Sequence, residues 1–322
     1  MKILSLFDGI GCSHMAATAG EINIEEYYAS EIDPAAIKIA SERIPNYTNI
    51  GDVRKVKGKD YYFVDIITAG SPCQGFSVSG KRKGMIMKDI MVTNLEQYLD
   101  LINKGYSFDL SKGKNQSVLF WEFIRIKNEI DEIRYYMGLP PVHFLLENVK
   151  MKPFWEGIIN DALGVTPIKI NSSKLIPQNR MRWYWVNFET TPVYDINPTL
   201  DRIIPDAVTG CGWSGRKDKI TNKYVPIKSI RKDKIANCIT TWSPSKTMPG
   251  RQYYINTNGD VIPFTTEDLE TLQGYPKGYT KVDGVSDVDR RKAIGNGWTI
   301  PVIKHFFDCL SVYYIFYLGV KP

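Results

Sequence analysis

Cysteine and histidine are scarce in this sequence, and they do not cluster. The five cysteines (Cys12, Cys73, Cys211, Cys238 and Cys309) include no CxxC pair, and no Cys/His cluster accompanies them. This argues against a disulfide framework and against a zinc site, so we expect no bound metal. Free cysteines of this kind are typical of a reducing compartment, and we therefore expect a cytoplasmic protein.

Long hydrophobic runs are also missing. Residues 1–9 reach an aspartate too soon for the core of a signal peptide. The most apolar stretch, residues 306–320, is interrupted by Asp308 and falls short of the roughly 20 residues that span a bilayer. We expect no membrane contact, and we interpret this stretch as part of a buried C-terminal helix.

Positive charge is in excess in only one region. Between Arg202 and Lys234 the chain has nine basic and three acidic residues, which accounts for the whole net charge of +6. Such a segment is expected either to contact a polyanion or to form a solvated lysine-rich surface.

Short apolar runs alternate with helical patterns through the first 190 residues. The predicted strands are residues 2–7, 26–30, 64–69, 142–146 and 183–188, and the predicted helices are residues 35–43 and 117–137. This alternation predicts an α/β fold with a parallel, doubly wound sheet that binds ligands at the carboxyl ends of its strands. Residues 189–262 are rich in Pro, Gly, Thr, Asn and Lys, which predicts a smaller, loop-rich second domain. Helical periodicity returns at residues 267–273 and 302–316.

A glycine-rich turn follows the first predicted strand. Gly9 and Gly11 would let a ligand approach the backbone at a helix N-terminus. A dinucleotide fingerprint needs a third glycine where His14 stands, so a nicotinamide or flavin cofactor is disfavoured. Glu31, after the second strand, could take both hydroxyls of a ribose, and Asp52-Val53 could contact an adenine edge.

Three further polar groups fall at or near the ends of predicted strands. Cys73 follows the strand at 64–69, where it is either a nucleophile or a buried small apolar residue. Glu147 closes an apolar run and is either functional or paired with a cation. Arg180 and Arg182 point the same way if the chain is extended, and could bind a phosphate, a base carbonyl or a surface carboxylate.

Taken in order, these motifs resemble those of the DNA (cytosine-5)-methyltransferases. The resemblance spans nearly the whole chain and rests on eight blocks: Phe7-Asp8-Gly9-Ile10-Gly11, Glu31, Asp52-Val53-Arg54, Ser71-Pro72-Cys73-Gln74, Glu147-Asn148-Val149, residues 178–182, residues 272–276 and Gly295-Asn296-Gly297-Trp298. The last block is similar to that of the de novo branch and of phage-type enzymes. Gly297 stands where the commoner form has a serine, so one side-chain contact to the cofactor is absent.

The resemblance implies a catalytic mechanism. Cys73 would add to cytosine C6, Glu147 would hydrogen-bond the N3 and N4 edge, and Arg182 would contact O2. Because C6 is inaccessible in a stacked duplex, the base would be flipped out.

The resemblance also implies two sets of binding residues. The cofactor S-adenosyl-L-methionine would be bound by Phe7, Asp8, Gly9, Ile10, Gly11, Cys12, Glu31, Ile32, Asp52, Val53, Pro72, Asn296, Gly297 and Trp298. DNA would be contacted by Ser77, Ser79, Lys81, Arg82, Arg180, Thr240 and Thr241.

The implied fold is a Rossmann-like sheet with an inserted recognition domain. Residues 1–188 and 286–322 would form the catalytic domain, and residues 189–285, which hold the basic segment, the target recognition domain. The implied partner is double-stranded DNA, with a cognate restriction endonuclease where the enzyme belongs to a restriction-modification system. We expect a monomer associated with the nucleoid.

Two alternatives remain at this stage. Transfer RNA cytosine-5 methyltransferases share the fold, the Pro-Cys nucleophile and the Glu-Asn-Val block, but the separate basic segment favours DNA. A catalytically idle DNA-binding homologue would have no need of Cys73, Glu147 and Arg182 together.

Residues 85–115 are longer than this family usually allows. Within them a helix is predicted from a Thr93-Asn94 cap to Gly105. This helix is expected either to pack beside the nucleophile loop and help hold it closed over the flipped base, or to be a surface embellishment without a role in the reaction.

Overall fold

Short apolar runs form the strands. A computed structural model describes residues 1–76, 84–87, 89–106, 116–217, 220–221, 224–240 and 253–314. The strands are β1 (Lys2–Leu6), β2 (Glu26–Ser30), β3 (Thr48–Asn49), β4 (Ile66–Ala69), β5 (Ile86–Met87), β6 (Ile90–Met91), β7 (His143–Val149), β8 (Ile168–Asn171), β9 (Met181–Val186), β10 (Ala207–Lys217), β11 (Tyr224–Ile230), β12 (Tyr253–Asn256) and β13 (Val261–Pro263).

The helices begin and end at local sequence signals. They are α1 (Cys12–Ala19), α2 (Pro34–Arg43), α3 (Leu95–Asn103), α4 (Phe120–Tyr136), α5 (Pro153–Leu163), α6 (Thr266–Gln273), α7 (Asp287–Asn296) and α8 (Ile300–Tyr313). The side chain of Asn94 accepts a hydrogen bond from the Gln97 amide and caps α3, which confirms the helix predicted there. Helix α5, which the sequence analysis missed, starts at Pro153 and ends before Gly164 in the left-handed region.

A seven-stranded sheet organises the larger part of the molecule. Its strand order is β3-β2-β1-β4-β7-β9-β8. Strands β3, β2, β1, β4 and β7 pair in parallel. The order reverses at β1 and β4, and ligands of such sheets bind at the carboxyl ends of the strands near this point.

The expectation that the whole sheet is parallel is wrong for the last predicted strand, which corresponds to β9. Strand β9 is antiparallel to both of its neighbours, β7 and β8. Only residues 172–180 connect β8 to β9, and a parallel pair needs a crossover of a dozen or more residues. Strand β7 also continues through Val149, so Glu147 lies inside the strand rather than after it.

Both faces of the sheet are covered, as a doubly wound sheet requires. One apolar cluster contains Phe120, Phe123 and Trp155 from α4 and α5. The other contains Ala16 of α1 and Phe306 and Phe307 of α8. The predicted fold class is therefore confirmed.

The segment that was expected to be loop-rich contains regular structure. Strands β10 to β13 form a four-stranded antiparallel sheet with the order β11-β10-β12-β13. Its pairing is irregular, with register shifts between β10 and both β11 and β12. Three glycines and a serine interrupt the alternation of β10, which explains why the sequence pattern did not predict a strand there.

No helix within the described residues combines the length and the apolar composition needed to cross a membrane.

Candidate active site

The turn between β1 and α1 has three residues in the left-handed region of backbone space. Phe7, Gly9 and Gly11 have φ values of +57°, +65° and +79°. A Cβ at Gly9 would meet nothing within 4 Å, whereas a Cβ at Gly11 would lie 2.2 Å from Ile44 Cδ1. Gly11 is thus needed for packing, and Gly9 leaves the backbone open to a ligand.

Glu31 ties this turn to the end of β2. Its carboxylate accepts hydrogen bonds from the backbone amides of Gly9 at 2.8 Å, Ile32 at 2.7 Å and Asp33 at 2.8 Å. A carboxylate has about four lone-pair sites, so about one remains for a ligand. Burial raises the pKa of Glu31, and the three amide donors oppose that effect.

Asp8 is buried beside the same turn. Its Oδ1 accepts a hydrogen bond from the Tyr27 hydroxyl, while its Oδ2 is buried without a hydrogen-bond partner. Burial raises the pKa of Asp8 to about 6. An unpaired buried carboxylate oxygen is costly, so a cationic or hydrogen-bond-donating ligand group would stabilise it.

The segment after α7 returns to the glycine turn. The Trp298 amide lies 3.3 Å from the Cys12 thiol, and the Trp298 ring packs so closely on Gly70 that a Cβ there would lie 2.7 Å from Nε1. Asn296 is exposed at the end of α7, and Gly297 is buried. The structure therefore brings this block beside Cys12 of the glycine turn and Gly70 at the end of β4.

The other residues with an implied cofactor role vary in exposure. Ile10 and Val53 are buried, Ile32 is exposed, and Pro72 is half-buried. Asp52 forms an ion pair with Arg54 and accepts a hydrogen bond from its amide. This carboxylate already has a cationic partner.

Glu147 and Arg182 form a largely buried ion pair. Arg182 Nε lies 2.9 Å from Glu147 Oε1. The two residues meet because β7 and β9 are adjacent, with Val149 opposite Arg182. A buried pair of this kind is oriented by its neighbours and offers its remaining donors and acceptors in fixed directions.

Cys73 is electrostatically coupled to that pair. Burial raises the pKa of the Cys73 thiol, the charge of Glu147 raises it further, and Arg182 and Arg180 oppose both. Asn148, next to Glu147, donates hydrogen bonds to the Ser71 hydroxyl at 3.0 Å and to the Ser71 carbonyl at 3.2 Å. The structure therefore joins the cysteine loop to the strand that carries Glu147.

The comparisons with known proteins bear on this arrangement. Residues 1–98 match the family model described as C-5 cytosine-specific DNA methylase. This part of the chain is therefore similar in sequence to the C-5 cytosine-specific DNA methylases. The resemblance inferred from the motifs is thereby confirmed.

Bacterial and phage methyltransferases are among the relatives. The chain is 26% identical over 334 residues to the type II methyltransferase M1.ScrFI of Lactococcus lactis subsp. cremoris, covering 94% of this chain and 76% of that protein. It is 30% identical over 210 residues to the orphan methyltransferase M.SPBetaI of Bacillus phage SPbeta, covering 57% of this chain. The latter match spans only 44% of the phage protein.

Solved structures share the fold over nearly the full chain. The S. pombe Dnmt2 methyltransferase superposes with a TM-score of 0.61 at 18% identity, covering 98% of this chain and 100% of that one. The Entamoeba histolytica methyltransferase EhMeth gives 0.62 at 16% identity, covering 96% and 97%.

Against this methylase fold, Arg180 has a different environment from the one expected. It is 3% exposed, and its guanidinium donates to the carbonyls of Ile239 at 2.7 Å, Gly297 at 2.8 Å and Gly295 at 3.3 Å. Its position just before β9 turns the side chain into the protein. These hydrogen bonds join the segment before β9 to residue 239 and to residues 295–297. They therefore support a structural role for Arg180 rather than the expected contact with DNA.

The other residues that were expected to contact DNA are mostly outside the described residues. Ser77, Ser79, Lys81, Arg82 and Thr241 lie there, and Thr240 is exposed.

Cys238 is a residue that sequence reasoning missed. Its Sγ lies 3.7 Å from Arg180 Nη1 and 4.0 Å from Arg182 Nη2. Burial raises the pKa of the Cys238 thiol, but the two guanidinium groups together bring it below its ordinary value. The only sequence signal was its place in a short polar stretch after the basic segment, which contains no hint of proximity to Arg182.

Proposed function

We propose that this protein is an S-adenosylmethionine-dependent DNA methyltransferase that modifies C5 of a flipped-out cytosine. The observation that carries the proposal is the buried Glu147–Arg182 ion pair, together with the Asn148–Ser71 hydrogen bonds that join the Cys73 loop to the strand that carries Glu147. One half of the site has an open backbone turn and an unpaired carboxylate oxygen, and the other has a thiol, a carboxylate and a guanidinium. This combination suits a cofactor on one side and a polar heterocycle on the other.

The residues at the glycine turn fit the cofactor. Asp8 Oδ2 needs a donor, which an amino-acid ammonium would provide, and the free acceptor capacity of Glu31 suits a ribose hydroxyl. Gly9 leaves room for close approach, and Ile32 offers an exposed apolar side chain. When bound, S-adenosylmethionine supplies an electrophilic methyl group.

The chain's own residues activate the base. C5 of cytosine is a weak carbon nucleophile, and addition of the Cys73 thiolate at C6 makes C5 electron-rich. Glu147 would hydrogen-bond the N3 and N4 edge, and Arg182 would stabilise charge that develops on O2. The raised pKa of Cys73 keeps the free enzyme mostly in the thiol form at neutral pH, which limits unproductive reactions.

Duplex DNA is the proposed substrate because the basic segment between Arg202 and Lys234 lies in the region proposed for target recognition. There Lys232 and Lys234 are exposed, while Arg231 pairs with Asp233. Exposed lysines can contact phosphates without fixing sequence. We retain residues 189–285 as the proposed recognition domain and residues 1–188 with 286–322 as the proposed catalytic domain.

The test is methyl transfer from labelled cofactor to duplex DNA or to total transfer RNA. We expect 5-methylcytosine in DNA, and sequencing of the product would identify the target. Labelling of transfer RNA alone would instead establish the alternative substrate. Absence of transfer to either would leave an idle binding homologue.

The role of Cys73 has a separate test. Cys73→Ser should lose transfer by at least about a thousandfold, the scale of removing a catalytic nucleophile, while cofactor and DNA still bind. Wild-type protein should form a covalent complex with DNA that contains 5-fluorocytosine. A trapped complex with the Cys73→Ser protein would contradict the assignment.

A further inference from the structure

Gly75 and Gly84 contact each other in the structure. The Gly84 amide donates to the Gly75 carbonyl at 2.9 Å. Both glycines are closely packed: a Cβ on Gly75 would lie 2.3 Å from the Gly84 carbonyl oxygen, and a Cβ on Gly84 would lie 1.9 Å from the Trp155 ring. Gly84 also has a φ of +77°. The contact therefore requires glycine at both positions.

Two buried side chains contact the Gly75–Gly84 pair. The Ser117 hydroxyl accepts a hydrogen bond from the Gly75 amide at 2.8 Å and is fully buried. Trp155 is 4% exposed, packs on Gly84, and has its ring centroid 6.0 Å from that of buried Phe76. We call Ser117 and Trp155, with the two glycines between them, the loop clamp.

The loop clamp lies within a few residues of the proposed nucleophile. The Phe76 amide donates to the Cys73 carbonyl at 2.9 Å, so residues 73–76 form a tight turn that ends at the clamp. Gln74 makes a second link to the same side, donating to Gln116 at 2.8 Å. A shift of Gly75 would therefore move Cys73.

Trp155 also connects the loop clamp to the strand that carries Glu147. It lies on α5, which follows β7 after a short connection, and β7 carries Glu147. One strand-and-helix unit thus positions both Glu147 and the residue that packs on the cysteine loop. Misplacement of a reacting atom by about 1 Å can lower a rate about a hundredfold.

We propose that Ser117 and Trp155 are positioning residues for Cys73, fixing its thiol relative to Glu147 by clamping Gly75 and Gly84. The proposal deepens the proposed function and rests on it for its catalytic consequence. It also makes a claim about the thiol itself that can be tested without DNA.

The variants are Ser117→Ala, Trp155→Ala and the conservative Trp155→Phe. The matched control is Phe307→Ala, which removes a fully buried aromatic side chain of α8 from the other apolar cluster. Unfolding by denaturant gives the folded fraction of each variant, and calorimetry gives its cofactor affinity. These two measurements separate a positioning role from a loss of stability.

The first readout is the rate of covalent capture on duplex DNA that contains 5-fluorocytosine. We expect Ser117→Ala and Trp155→Ala to slow capture at least about tenfold per folded molecule, with cofactor affinity unchanged. Trp155→Phe should restore much of the rate, and Phe307→Ala should capture at the wild-type rate. An unchanged rate in Ser117→Ala and Trp155→Ala, or an equal loss in Phe307→Ala, would overturn the proposal.

The second readout is alkylation of Cys73 by iodoacetamide, followed by peptide mass spectrometry. If wild-type protein captures no nucleic acid, the proposed function fails, and this measurement still decides the positioning claim. An altered alkylation rate in Ser117→Ala and Trp155→Ala, with the wild-type rate in Phe307→Ala, supports it. Equal rates in all the proteins overturn it.

Discussion

The two halves of the candidate site are held together by different kinds of contact. In the cofactor half, at the glycine turn and the end of β2, the Glu31 carboxylate is satisfied by backbone amides of Gly9, Ile32 and Asp33. In the base half, around Cys73, the Glu147 carboxylate is satisfied by the side chain of Arg182. The cofactor half therefore depends mainly on local chain conformation, and the base half on which distant side chains meet.

The largest expected effects distinguish Arg182, whose substitution should lower kcat, from Arg180, whose substitution should lower stability. Arg182→Lys keeps a cation beside Glu147 but loses the planar guanidinium, so kcat should fall about a hundredfold or more with little change in the free energy of unfolding. In Arg180→Lys a single nitrogen replaces the two that contact carbonyls of separate segments, so the variant should lower the free energy of unfolding by about 3 kcal/mol. Steady-state kinetics and urea denaturation measure the two effects. Similar losses of stability in both variants would contradict the distinction.

In the cofactor half, Glu31→Gln tests the dependence on backbone amides. The amide group replaces an acceptor with donors that face backbone N–H groups, and it leaves less acceptor capacity for a ribose. We expect cofactor affinity to fall by about 1 to 3 kcal/mol, with methyl transfer recovering at saturating cofactor. Calorimetry measures the affinity, and an unchanged value would place the ribose elsewhere.

The raised pKa of the Asp8 carboxyl predicts that cofactor affinity depends on pH. Its pKa of about 6 means that the carboxyl becomes charged as the pH rises through 6, and the charged form binds an ammonium better. Affinity should therefore fall about tenfold between pH 8 and pH 5. Asp8→Asn should bind more weakly and with a flatter profile. Glu31 is the nearby carboxylate whose titration adds to this profile, so Glu31→Gln is the companion measurement.

The Asp8 carboxyl should affect the stability of the unliganded protein with the opposite pH dependence: cofactor affinity rises with pH, whereas the stability contribution falls. A carboxyl whose pKa is raised by folding stabilises the folded state below its unfolded pKa, and this contribution is lost as the pH rises through about 6. Asp8→Asn should remove that part of the pH dependence of unfolding. An identical pH profile in wild-type and Asp8→Asn proteins would show that Asp8 is not the group responsible.

The smallest expected effect lies outside both halves, in the basic segment. Replacing exposed Lys232 and Lys234 by glutamine should flatten the slope of log affinity for DNA against log salt by up to about two units. The matched control is Lys57→Gln with Lys59→Gln, two exposed lysines outside the segment. An equal change in both double variants would mean that the segment has no special part in binding.

Sequence reasoning was most successful where the structural signal is local. Strand β2 begins and ends at the predicted residues, and the Asn94 cap marks α3 as expected. These features depend on apolar periodicity and on a side chain that caps its own helix. The glycine turn belongs to the same class, since positive φ values at Gly9 and Gly11 are a property of the residues themselves.

Features that depend on distant pairing were not predictable in the same way. The antiparallel direction of β9 depends on a short connection between strands, one of which was too short to be recognised. The internal hydrogen bonds of Arg180 and the position of Cys238 beside Arg182 require segments more than 50 residues apart to meet. Motif resemblance identified Glu147 and Arg182, but only the pairing of β7 with β9 explains why they touch.

Helix α8 is synthesised after the strands and the helix that it covers. It packs against α1 and covers that side of the sheet with Phe306 and Phe307. At 5–20 residues per second, the ribosome reaches the end of α8 roughly 15–60 s after it starts the chain. Throughout that interval the nascent chain displays the apolar face of β1 and α1, together with a glycine turn that Trp298 does not yet adjoin. The glycine turn therefore gains its contact with Trp298 only after most of the sheet has been synthesised.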